Sequence, residues 1–472
     1  INNGIPDLDL QIDKKSLNQF MIYGNFPSPH TPFRRCHKVS PGHYLKLKQG
    51  KVEEVSYWDV NFETGVHDSK EDDWLDEFDS LLKASVDRHL LSDVPIGAFL
   101  SGGVDSSVVV AQTAKQYSGH LSTFSIGFED SSFDESRYAR QVAKHFGCKH
   151  HDYIISRESI KDEIFHIMGT FDEPFFDTSG IPTYYVSKLA GEHVKVVLSG
   201  DGGDELFAGY KHYTRFQQHH GHLQRRQSSA RLMLGLYNSL LARWPGIFLD
   251  SKVLRHTGDY LIKQNQTCWT QAVLHFYERI PFHYRTALQR EVLSVDEECE
   301  YIEKITAQST NEDVVVRLSE FDFFNYLPND ILTKVDRMSM SNSLEVRVPL
   351  LDHSLVEFAA RIPLAYKRKE GVDKYLLKRH LSSILAKDNE LYETITREKH
   401  GFRFPIGEYL NKDFRQYISD GLLSRDYQQE MGFSDVAVRR MLSGYEAGWF
   451  GGKPIWILFC LYLWWDRNLR RH

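Results

Sequence analysis

Apolar and polar residues follow two different periods along this 472-residue chain. The short apolar runs IGAFLS, LSTFSIGF and VKVVLSG predict buried strands, because continuous apolar stretches of this length are typical of strands covered on both faces. The segments SVVVAQTAKQY and SRYARQVAKHFG have apolar residues at helical spacing, which predicts helices. Strands and helices that alternate in this way predict an α/β fold, with a parallel sheet and helices on both faces.

The segments on either side of this region have other patterns. Residues 1 to about 60 are rich in Pro, Gly and alternating apolar positions, which predicts short strands joined by turns. An acidic segment with apolar residues at helical spacing, from Trp74 to Val86, then predicts a helix. From about residue 215 onward the pattern is mostly helical, with loops expected at LPND, RVPLLDH and EKHGFRFPIG. The apolar run at residues 454–465 is shorter than the roughly 20 residues of a membrane-spanning helix, so we expect it to form a buried helix.

Charge and cysteine content limit the classes of function. The formal net charge of −7 argues against an intrinsic nucleic-acid binder, because such domains usually carry a concentrated basic surface. The five cysteines are an odd number, widely scattered and without a CxxC pair, so they predict neither a disulfide framework nor a zinc site. We therefore expect a cytoplasmic protein that acts on small molecules and not on a nucleic acid or a membrane.

A first glycine loop, SGGVDSS, joins a predicted strand to a predicted helix. It is not a loop of the GTPase type, because Val104 and Asp105 follow Gly103 where such a loop has Lys and then Ser or Thr. The glycines let backbone amides approach an anion, the serine hydroxyls add donors, and the helix N-terminus adds partial positive charge. Phosphate would repel Asp105 unless a cation lay between them, so the loop predicts a nucleotide bound with Mg²⁺.

A second glycine loop, LSGDGGDELFAGY, follows another predicted strand and carries Asp201, Asp204 and Glu205. Carboxylates at a helix N-terminus stabilise the helix by about 0.3–1 kcal/mol each, which is a purely structural reason for their presence. The carboxyl end of a parallel strand is, however, also where a ligand site is expected. We expect this cluster to share Mg²⁺ with Asp105 across a crevice.

Two later segments carry further charged side chains. Three of them have helical spacing in the segment LPNDILTKVDRMSMSNSLEVRVPLLDH, and three more surround the proline turn that follows. This pattern is typical of an ion-paired helix and the turn after it. These charged residues are Asp330, Lys334 and Arg337, followed by Glu345, Arg347 and Asp352. The segment TREKHGFRFPIG is a basic loop that contains Arg397, Lys399 and Arg403. Such a loop is either simply solvated or suited to clamping a phosphate chain.

In this order the four segments resemble the glutamine-dependent asparagine synthetases of the bacterial type, and SGGVDSS resembles the pyrophosphate-binding loop of the N-type ATP pyrophosphatases. The resemblance covers nearly the whole chain. It implies a synthetase domain like the adenine nucleotide alpha hydrolases over residues 61–472, preceded at residues 1–60 by a β-rich remnant of an Ntn-hydrolase glutaminase domain. The implied activity is an AMP-forming ligase that activates the aspartate side chain with ATP and Mg²⁺ and adds ammonia from glutamine.

The resemblance also assigns site residues. Asp105 and Asp204 match the Mg²⁺ ligands of the family, Lys399 matches a lysine beside the leaving pyrophosphate, and Asp330 matches an acidic position near the reacting groups. A carboxylate at Asp201, with Glu205 close by, is expected to accept a proton from the attacking ammonia. Glu345 and Arg347 are expected substrate contacts. The expected ATP and pyrophosphate site consists of Leu100, Ser101, Gly102, Gly103, Asp105, Ser106, Ser107, Ile126, Gly127, Ser199 and Gly200.

One departure from the family concerns the substrate. Familiar asparagine synthetases have Glu at the position of Asp201, and relatives in surface-polysaccharide gene clusters often have the sequence found here. A sugar acid is therefore an alternative substrate. A second alternative is the intramolecular amide closure of lactam-forming relatives, for which Tyr326 or Tyr375 would be the proton acceptor. A third is a non-catalytic remnant, and the intact Asp105, Asp204 and Lys399 argue against it.

A second departure concerns the N-terminus. The glutaminase domain of the family uses an N-terminal cysteine, whereas this chain begins with Ile1 and Cys36 is internal. Most of the glutaminase is thus expected to be missing from the chain. Three explanations stay open: a fragment, a glutaminase part supplied separately, or loss of glutamine hydrolysis. A homodimer is a further expectation.

Overall fold

The computed structural model describes residues 10–62, 69–129, 134–223, 269–289, 294–307, 309, 311–385, 388–397 and 406–470. It contains two sheets. The strands are β1 (His43–Lys48), β2 (Lys51–Ser56), β3 (Ile96–Phe99), β4 (Ser122–Phe128), β5 (Lys149–Ile155), β6 (Val196–Leu198) and β7 (Glu345–Arg347). β1 and β2 form an antiparallel hairpin, and the other strands form one sheet.

The larger sheet is parallel and has the strand order β5–β4–β3–β6–β7. The chain proceeds from β3 outward to β4 and β5, and then returns to the other side of β3 to form β6 and β7. The loops that follow β3 and β6 therefore lie side by side where the strand order reverses, which is where open α/β sheets bind ligands. The predicted α/β fold with a parallel sheet is confirmed.

Helices make up most of the remaining described chain. They are α1 (Lys14–Tyr23), α2 (Glu71–His89), α3 (Val104–Gln116), α4 (Ser136–His145), α5 (Arg157–Met168), α6 (Gly180–Gly191), α7 (Gly203–Leu206), α8 (Lys211–Leu223), α9 (Trp269–Tyr277), α10 (Phe282–Leu288), α11 (Val295–Ile305), α12 (Val314–Phe321), α13 (Thr333–Met340), α14 (His353–Arg361), α15 (Leu364–Lys367), α16 (Tyr375–Ile384), α17 (Asn389–Thr396), α18 (Ile406–Lys412), α19 (Arg415–Leu422), α20 (Arg425–Met431), α21 (Asp435–Glu446) and α22 (Lys453–Asn468). A 3-10 turn, Pro349–Leu351, follows β7.

Hydrophobic cores cover both faces of the parallel sheet. Val196 and Leu198 of β6 belong to a core that includes residues of α2, α3 and α16. Val197, between them, belongs to a second core that includes residues of α5, α6 and α22. Successive side chains of a strand point to opposite faces, so the sheet is buried on both sides. The strands consequently have the continuous apolar character from which they are predicted.

A π-helix, Asp322–Leu332, continues α12 and runs directly into α13. The predicted loop at LPND, residues 327–330, is wrong, because this segment lies inside the π-helix. Pro328 has no backbone N–H to donate, and the wider helix accommodates it. Side chains satisfy two backbone carbonyls of this wider helix: Thr333 Oγ1 donates to Pro328 O at 2.9 Å, and Asn329 Nδ2 donates to Asn325 O at 2.8 Å. π-helical turns are frequent at functional sites, and this one carries Tyr326 and Asp330.

The N-terminal region differs from the prediction of short strands alone. Lys14–Tyr23 forms helix α1, and only the hairpin β1–β2 has the expected strand character. The Asp13 side chain caps α1 by accepting from the Lys15 amide at 3.1 Å. Leu17, Phe20 and Met21 repeat at helical spacing and are fully buried in the core that also contains α22. The boundary at residue 60 and the glutaminase origin of residues 1–60 stay predictions.

The apolar run at residues 454–465 lies within α22, and each of its residues is buried. Its indole N–H groups find partners inside the protein: Trp456 Nε1 donates to Phe176 O at 2.7 Å, and Trp464 Nε1 donates to Asp172 O at 2.9 Å. The predicted buried helix is confirmed. No helix in the described ranges is long and apolar enough to cross a membrane.

Candidate active site

The two glycine loops touch at the carboxyl edge of the parallel sheet. Gly102 has a φ of 71°, a left-handed conformation that favours glycine, and a Cβ there would lie 2.7 Å from the carbonyl carbon of Tyr138. A Cβ at Gly200 would lie 2.6 Å from the amide nitrogen of Ser106. Glycine at position 200 thus lets the second loop lie against the N-terminus of α3, as the motif predicts.

A cavity of about 380 Å³ opens between these loops. Nine predicted site residues line it: Leu100, Ser101, Asp105, Ser106, Ser199, Gly200, Asp201, Asp204 and Glu205. The remaining polar lining residues include Asp177, Ser179, Thr183, Tyr210, Tyr326 and Lys334. The structure therefore brings most of the predicted nucleotide and carboxylate positions into one cavity and adds a second polar group opposite them.

Some predicted nucleotide residues do not line this cavity. Gly102 and Gly103 form the turn itself, and Ser107 is fully buried in α3. Ile126 is 4% exposed and belongs to the core on the α6 face of the sheet. Gly127 lies close to the Asp134 carboxylate. The nucleotide contacts expected of these five residues stay predictions.

The expected substrate contacts Glu345 and Arg347 lie on β7, away from the cavity lining. Arg347 Nη1 donates to the backbone carbonyls of His89 and Leu91 at 2.8 Å each, and Arg347 Nε donates to Glu345 Oε1 at 2.7 Å. These contacts tie the edge strand of the sheet to the end of α2. The structure therefore gives Arg347 a role in positioning β7, and the substrate contacts expected of Glu345 and Arg347 stay predictions.

Asp105 and Asp204 converge on one cation, the ammonium of Lys374. Lys374 Nζ lies 2.5 Å from Asp105 Oδ2 and 2.6 Å from Asp204 Oδ1, and its side chain is 7% exposed. Burial alone would lower the pKa of Lys374, but the two carboxylates outweigh it and raise that pKa. Lys374 is in the segment EGVDKYLLKRH, which has no recognisable motif, so nothing local in the sequence identifies it as a site residue.

The same two carboxylates fit the predicted Mg²⁺ site. Both reach a single nitrogen atom, so both can reach a single metal ion, and carboxylate oxygens are suitable Mg²⁺ ligands. No cluster of three or more His, Cys, Asp or Glu side chains that could hold a metal occurs in the described part of the chain. A metal at this position would consequently take its other ligands from water and from bound phosphate.

Another part of the cavity lining carries an ion pair. Lys334 Nζ lies 2.8 Å from Asp177 Oδ2 and 2.7 Å from Ser179 Oγ. Burial would raise the pKa of Asp177, but the Lys334 ammonium outweighs it and holds that pKa at about 2. The sequence predicts an ion-paired Lys334. Asp177 and Ser179 are not predicted, although a polar DTSG turn before α6 is a usable signal for a site loop.

Asp330 lies behind this ion pair and does not line the cavity. Its carboxyl group is fully buried in the π-helix. Burial, together with repulsion from Asp177, raises the pKa of Asp330 well above its usual value. The pKa values of these two neighbouring carboxyl groups are thus shifted in opposite directions, that of Asp177 down and that of Asp330 up. A direct catalytic role for Asp330 stays a prediction.

Glu205 is a buried carboxyl group on the nucleotide side. It is 1% exposed and accepts a hydrogen bond from Tyr210 Oη at 2.7 Å. Burial, with repulsion from Asp204, raises the pKa of Glu205 to about 8. Glu205 is therefore protonated at neutral pH and is not a base in that state. Asp201, which accepts a hydrogen bond from the Ser199 hydroxyl at 2.5 Å, also lines the cavity.

Glu205→Gln should change how stability depends on pH. A carboxyl group whose pKa rises from 4.5 to about 8 on folding stabilises the folded state below pH 4.5 and loses that contribution as pH rises to 8. The glutamine side chain does not titrate, so only the wild type loses stability as the pH rises. The free energy of unfolding of the variant, relative to that of the wild type, should therefore increase by on the order of 3 kcal/mol between pH 5 and pH 8.5. Urea unfolding in metal-free buffer measures this difference, and a pH-independent difference would contradict the assignment.

The two candidate tyrosines lie in different places. Tyr326 lines the cavity, whereas the Tyr375 hydroxyl donates to Glu71 at 3.0 Å on another surface. Burial and the neighbouring Asp330 raise the pKa of Tyr326 well above 10. A proton acceptor needs a lowered pKa, so the surroundings of Tyr326 do not favour the tyrosine-based chemistry of a lactam synthetase.

The described start of the basic loop is anchored on the first glycine loop. Arg397 Nη1 donates to Gly102 O at 2.9 Å, and its guanidinium lies 3.5 Å from the centre of the Tyr138 ring. Arg397 Nη2 also lies 3.1 Å from Glu135 Oε1. Lys399 and Arg403 are outside the described residues, so the role expected of Lys399 stays a prediction.

Comparison with known proteins identifies relatives along nearly the whole chain. The family model "Asparagine synthase" matches residues 77–467. Asparagine synthetase [glutamine-hydrolyzing] 1 of Bacillus subtilis is 30% identical over 482 residues, covering 98% of this chain and 70% of that protein. A putative asparagine synthetase [glutamine-hydrolyzing] of Mycobacterium tuberculosis is 29% identical over 473 residues, with coverages of 97% and 68%.

A relative with another name is more distant. Amidase chyE of Penicillium rubens is 25% identical over 439 residues, covering 86% of this chain and 64% of that protein. The family match includes both glycine loops, the π-helix and most of α22. The predicted resemblance is thereby confirmed, and the chain belongs to the asparagine synthase family of amide-forming carbon–nitrogen ligases.

Proposed function

We propose that this protein is an ATP-dependent, AMP-forming amide ligase whose first candidate substrate is the side-chain carboxylate of aspartate. The observation that carries the proposal is the single cavity in which the two glycine loops, with Asp105 and Asp204, face the ion pair of Lys334 and Asp177. One side has the chemistry for a metal-bound triphosphate. The other has the charges to hold an acid.

The nucleotide side binds phosphate through its backbone. The amides that follow β3 and the N-terminus of α3 supply donors and partial positive charge, and the hydroxyls of Ser101 and Ser106, 3.1 Å apart, add to them. Mg²⁺ held by Asp105 and Asp204 would neutralise charge on the phosphate oxygens. The α-phosphate is then held with its bridging oxygen ready to leave as part of pyrophosphate.

The acceptor side is suited to an amino acid. Lys334 is the only basic side chain among the described lining residues, and the Asp177 carboxylate lies beside it. An ammonium and a carboxylate in contact complement the carboxylate and ammonium of a zwitterion, which favours aspartate over a sugar acid. The side-chain carboxylate of the bound acid would then extend toward the glycine loops.

The reaction then proceeds in two displacements. A carboxylate oxygen of the acid attacks the α-phosphorus of ATP, the bond from that phosphorus to the bridging oxygen breaks, and pyrophosphate leaves with the electron pair. Ammonia next attacks the acyl carbon of the adenylate, a proton passes to Asp201, and AMP leaves. Asp201 fits this role better than Glu205, because Glu205 is protonated at neutral pH.

The double variant Lys334→Met/Asp177→Asn tests the acceptor side. Removing both charges leaves no unpaired buried ion, so the chain should still fold. We expect unchanged ATP binding but a fall in kcat/KM for the acid of about a hundredfold, or roughly 2.7 kcal/mol. Lys188→Met/Glu163→Gln removes an exposed pair of the same length, 2.8 Å, and is the matched control. Equal effects of the two double variants would contradict the assignment.

The overall proposal is tested with the whole chain, ATP, Mg²⁺, ammonium and a panel of acids. We expect AMP and pyrophosphate in equal amounts and only when an acid is present, with aspartate giving the highest kcat/KM. A sugar acid with a higher kcat/KM than aspartate would show that the substrate is a sugar acid, with the proposed reaction unchanged. Formation of ADP and phosphate would contradict the proposed reaction.

A further inference from the structure

Lys374 is held in the position that a shared metal ion would take. Its ammonium contacts both Asp105 and Asp204, the two carboxylates that fit Mg²⁺. Its backbone has φ 50° and ψ 38°, a left-handed conformation that costs a non-glycine residue free energy, so the surrounding structure must hold it in place. Gly209 leaves the space through which the Lys374 side chain passes, since a Cβ there would overlap Lys374 Cε.

We propose that Lys374 is a built-in counter-cation that excludes free divalent metal from the Asp105–Asp204 pair until a triphosphate arrives with it. The proposal rests on the proposed function, in which these carboxylates hold Mg²⁺. It adds that metal and nucleotide must enter together. The displaced ammonium of Lys374 then contacts the phosphate oxygens.

Charge balance is the reason for this coupling. The two carboxylates of Asp105 and Asp204 and the one ammonium of Lys374 carry a net charge of −1. A divalent ion that contacted both carboxylates would lie within a few ångströms of the ammonium and repel it. The ammonium can leave this buried position only if another anion receives it. A bound triphosphate is such an anion, and the flexible lysine stem allows the movement.

Mn²⁺ binding to the whole chain, followed by electron paramagnetic resonance, tests the proposal without any turnover. In the absence of nucleotide, Lys374→Met should bind Mn²⁺ about tenfold more tightly than wild type, because the carboxylates lose their cation. Lys374→Arg keeps the positive charge and should remain as weak as wild type. Lys378→Met, one turn along α16, is the matched control and should not differ from wild type. Unchanged or weaker Mn²⁺ binding by Lys374→Met would overturn the proposal.

A second variant assigns the new Mn²⁺ site. Lys374→Met/Asp204→Asn should lose the tight binding of the single variant, and retention of tight binding would overturn the proposal because the ion would then be held elsewhere. Thermal unfolding gives an independent measure: Mn²⁺ alone should raise the Tm of Lys374→Met clearly more than that of wild type. If Lys374→Met does not fold, Lys374→Gln, which keeps one donor, replaces it in the same comparisons.

Adding the nucleotide should reverse the order of the affinities. With an ATP analogue that has a methylene bridge between the α and β phosphates, wild type should bind Mn²⁺ more tightly than Lys374→Met, because Lys374 then contacts the phosphates. If Lys374→Met binds Mn²⁺ more tightly than wild type both with and without the analogue, the proposed movement of Lys374 from the carboxylates to the phosphates is wrong. These measurements need no acid and no reaction. A chain that forms no AMP but gives the predicted Mn²⁺ results would contradict the proposed function and leave this inference standing.

Discussion

Asp105→Asn should reduce acid-dependent release of AMP and pyrophosphate about a thousandfold, which corresponds to roughly 4 kcal/mol of transition-state stabilisation. Asp105 is 6% exposed and lies in the first turn of α3, where it faces the second glycine loop and the Lys374 ammonium. Asparagine has almost the same shape but cannot balance the charge of a metal ion. The remaining contact of Lys374 with Asp204 should keep the variant folded.

A matched control separates this effect from loss of a carboxylate at a helix N-terminus. Asp435 is in the first turn of α21, pairs with Arg439 at 2.9 Å and is not among the residues that line the cavity. Asp435→Asn should cost under about 1 kcal/mol of stability and leave the reaction unchanged. Rates of AMP formation with saturating acid measure both variants. An Asp105→Asn variant that keeps more than about a tenth of the wild-type rate would exclude Asp105 from the chemistry.

Arg285→Met should destabilise the fold by about 3–5 kcal/mol, because it leaves buried carboxylates without their cation. Arg285 is fully buried, lies 2.5 Å from Glu298 Oε1 and also contacts Glu278. Its Nη1 donates to Asn18 Oδ1 at 2.8 Å. Arg285 therefore connects α1 to α10 and α11. Loss of its guanidinium should weaken the packing of α1 against these two helices.

An exposed ion pair between two of the same helices provides the control. Lys15 of α1 lies 2.9 Å from Glu297 of α11, with the two side chains 65% and 43% exposed. Lys15→Met should change the free energy of unfolding by less than about 1 kcal/mol, because water already solvates both charges. Urea unfolding at pH 7 compares the variants. Similar small effects of Arg285→Met and Lys15→Met would show that the buried network does not hold α1 in place.

The sheet and its two ligand loops are predictable because they depend on local sequence. β3, β4 and β6 are covered on both faces, so their apolar runs stand out. Gly200 and Gly203, after β6, are required by the approach of the two loops. The edge strands are harder to recognise. β5 begins with four polar residues and buries only Ile155, and β7 has only three residues, so neither has the apolar run of a central strand.

The parts that escape prediction depend on distant contacts. α1 lies among turn residues and becomes a helix because its apolar stripe packs on the core that contains α22. Lys374 reaches the site only because the fold brings the start of α16 to both glycine loops. Asp177 likewise pairs with Lys334 from a separate element. Motif spacing alone predicts a metal between Asp105 and Asp204, whereas the structure adds the Lys374 ammonium, which contacts both carboxylates.

Attack of a carboxylate on the α-phosphate of ATP, in the cavity between the two glycine loops, can be followed with aspartate whose side-chain carboxylate carries ¹⁸O. The whole chain is incubated with this aspartate, ATP, Mg²⁺ and ammonium, and the products are analysed by mass spectrometry. We expect ¹⁸O in AMP and none in pyrophosphate, because the oxygen that attacks phosphorus stays with AMP when ammonia displaces it. Label in inorganic phosphate alongside ADP, or AMP without label, would show that the carboxylate does not attack the α-phosphate.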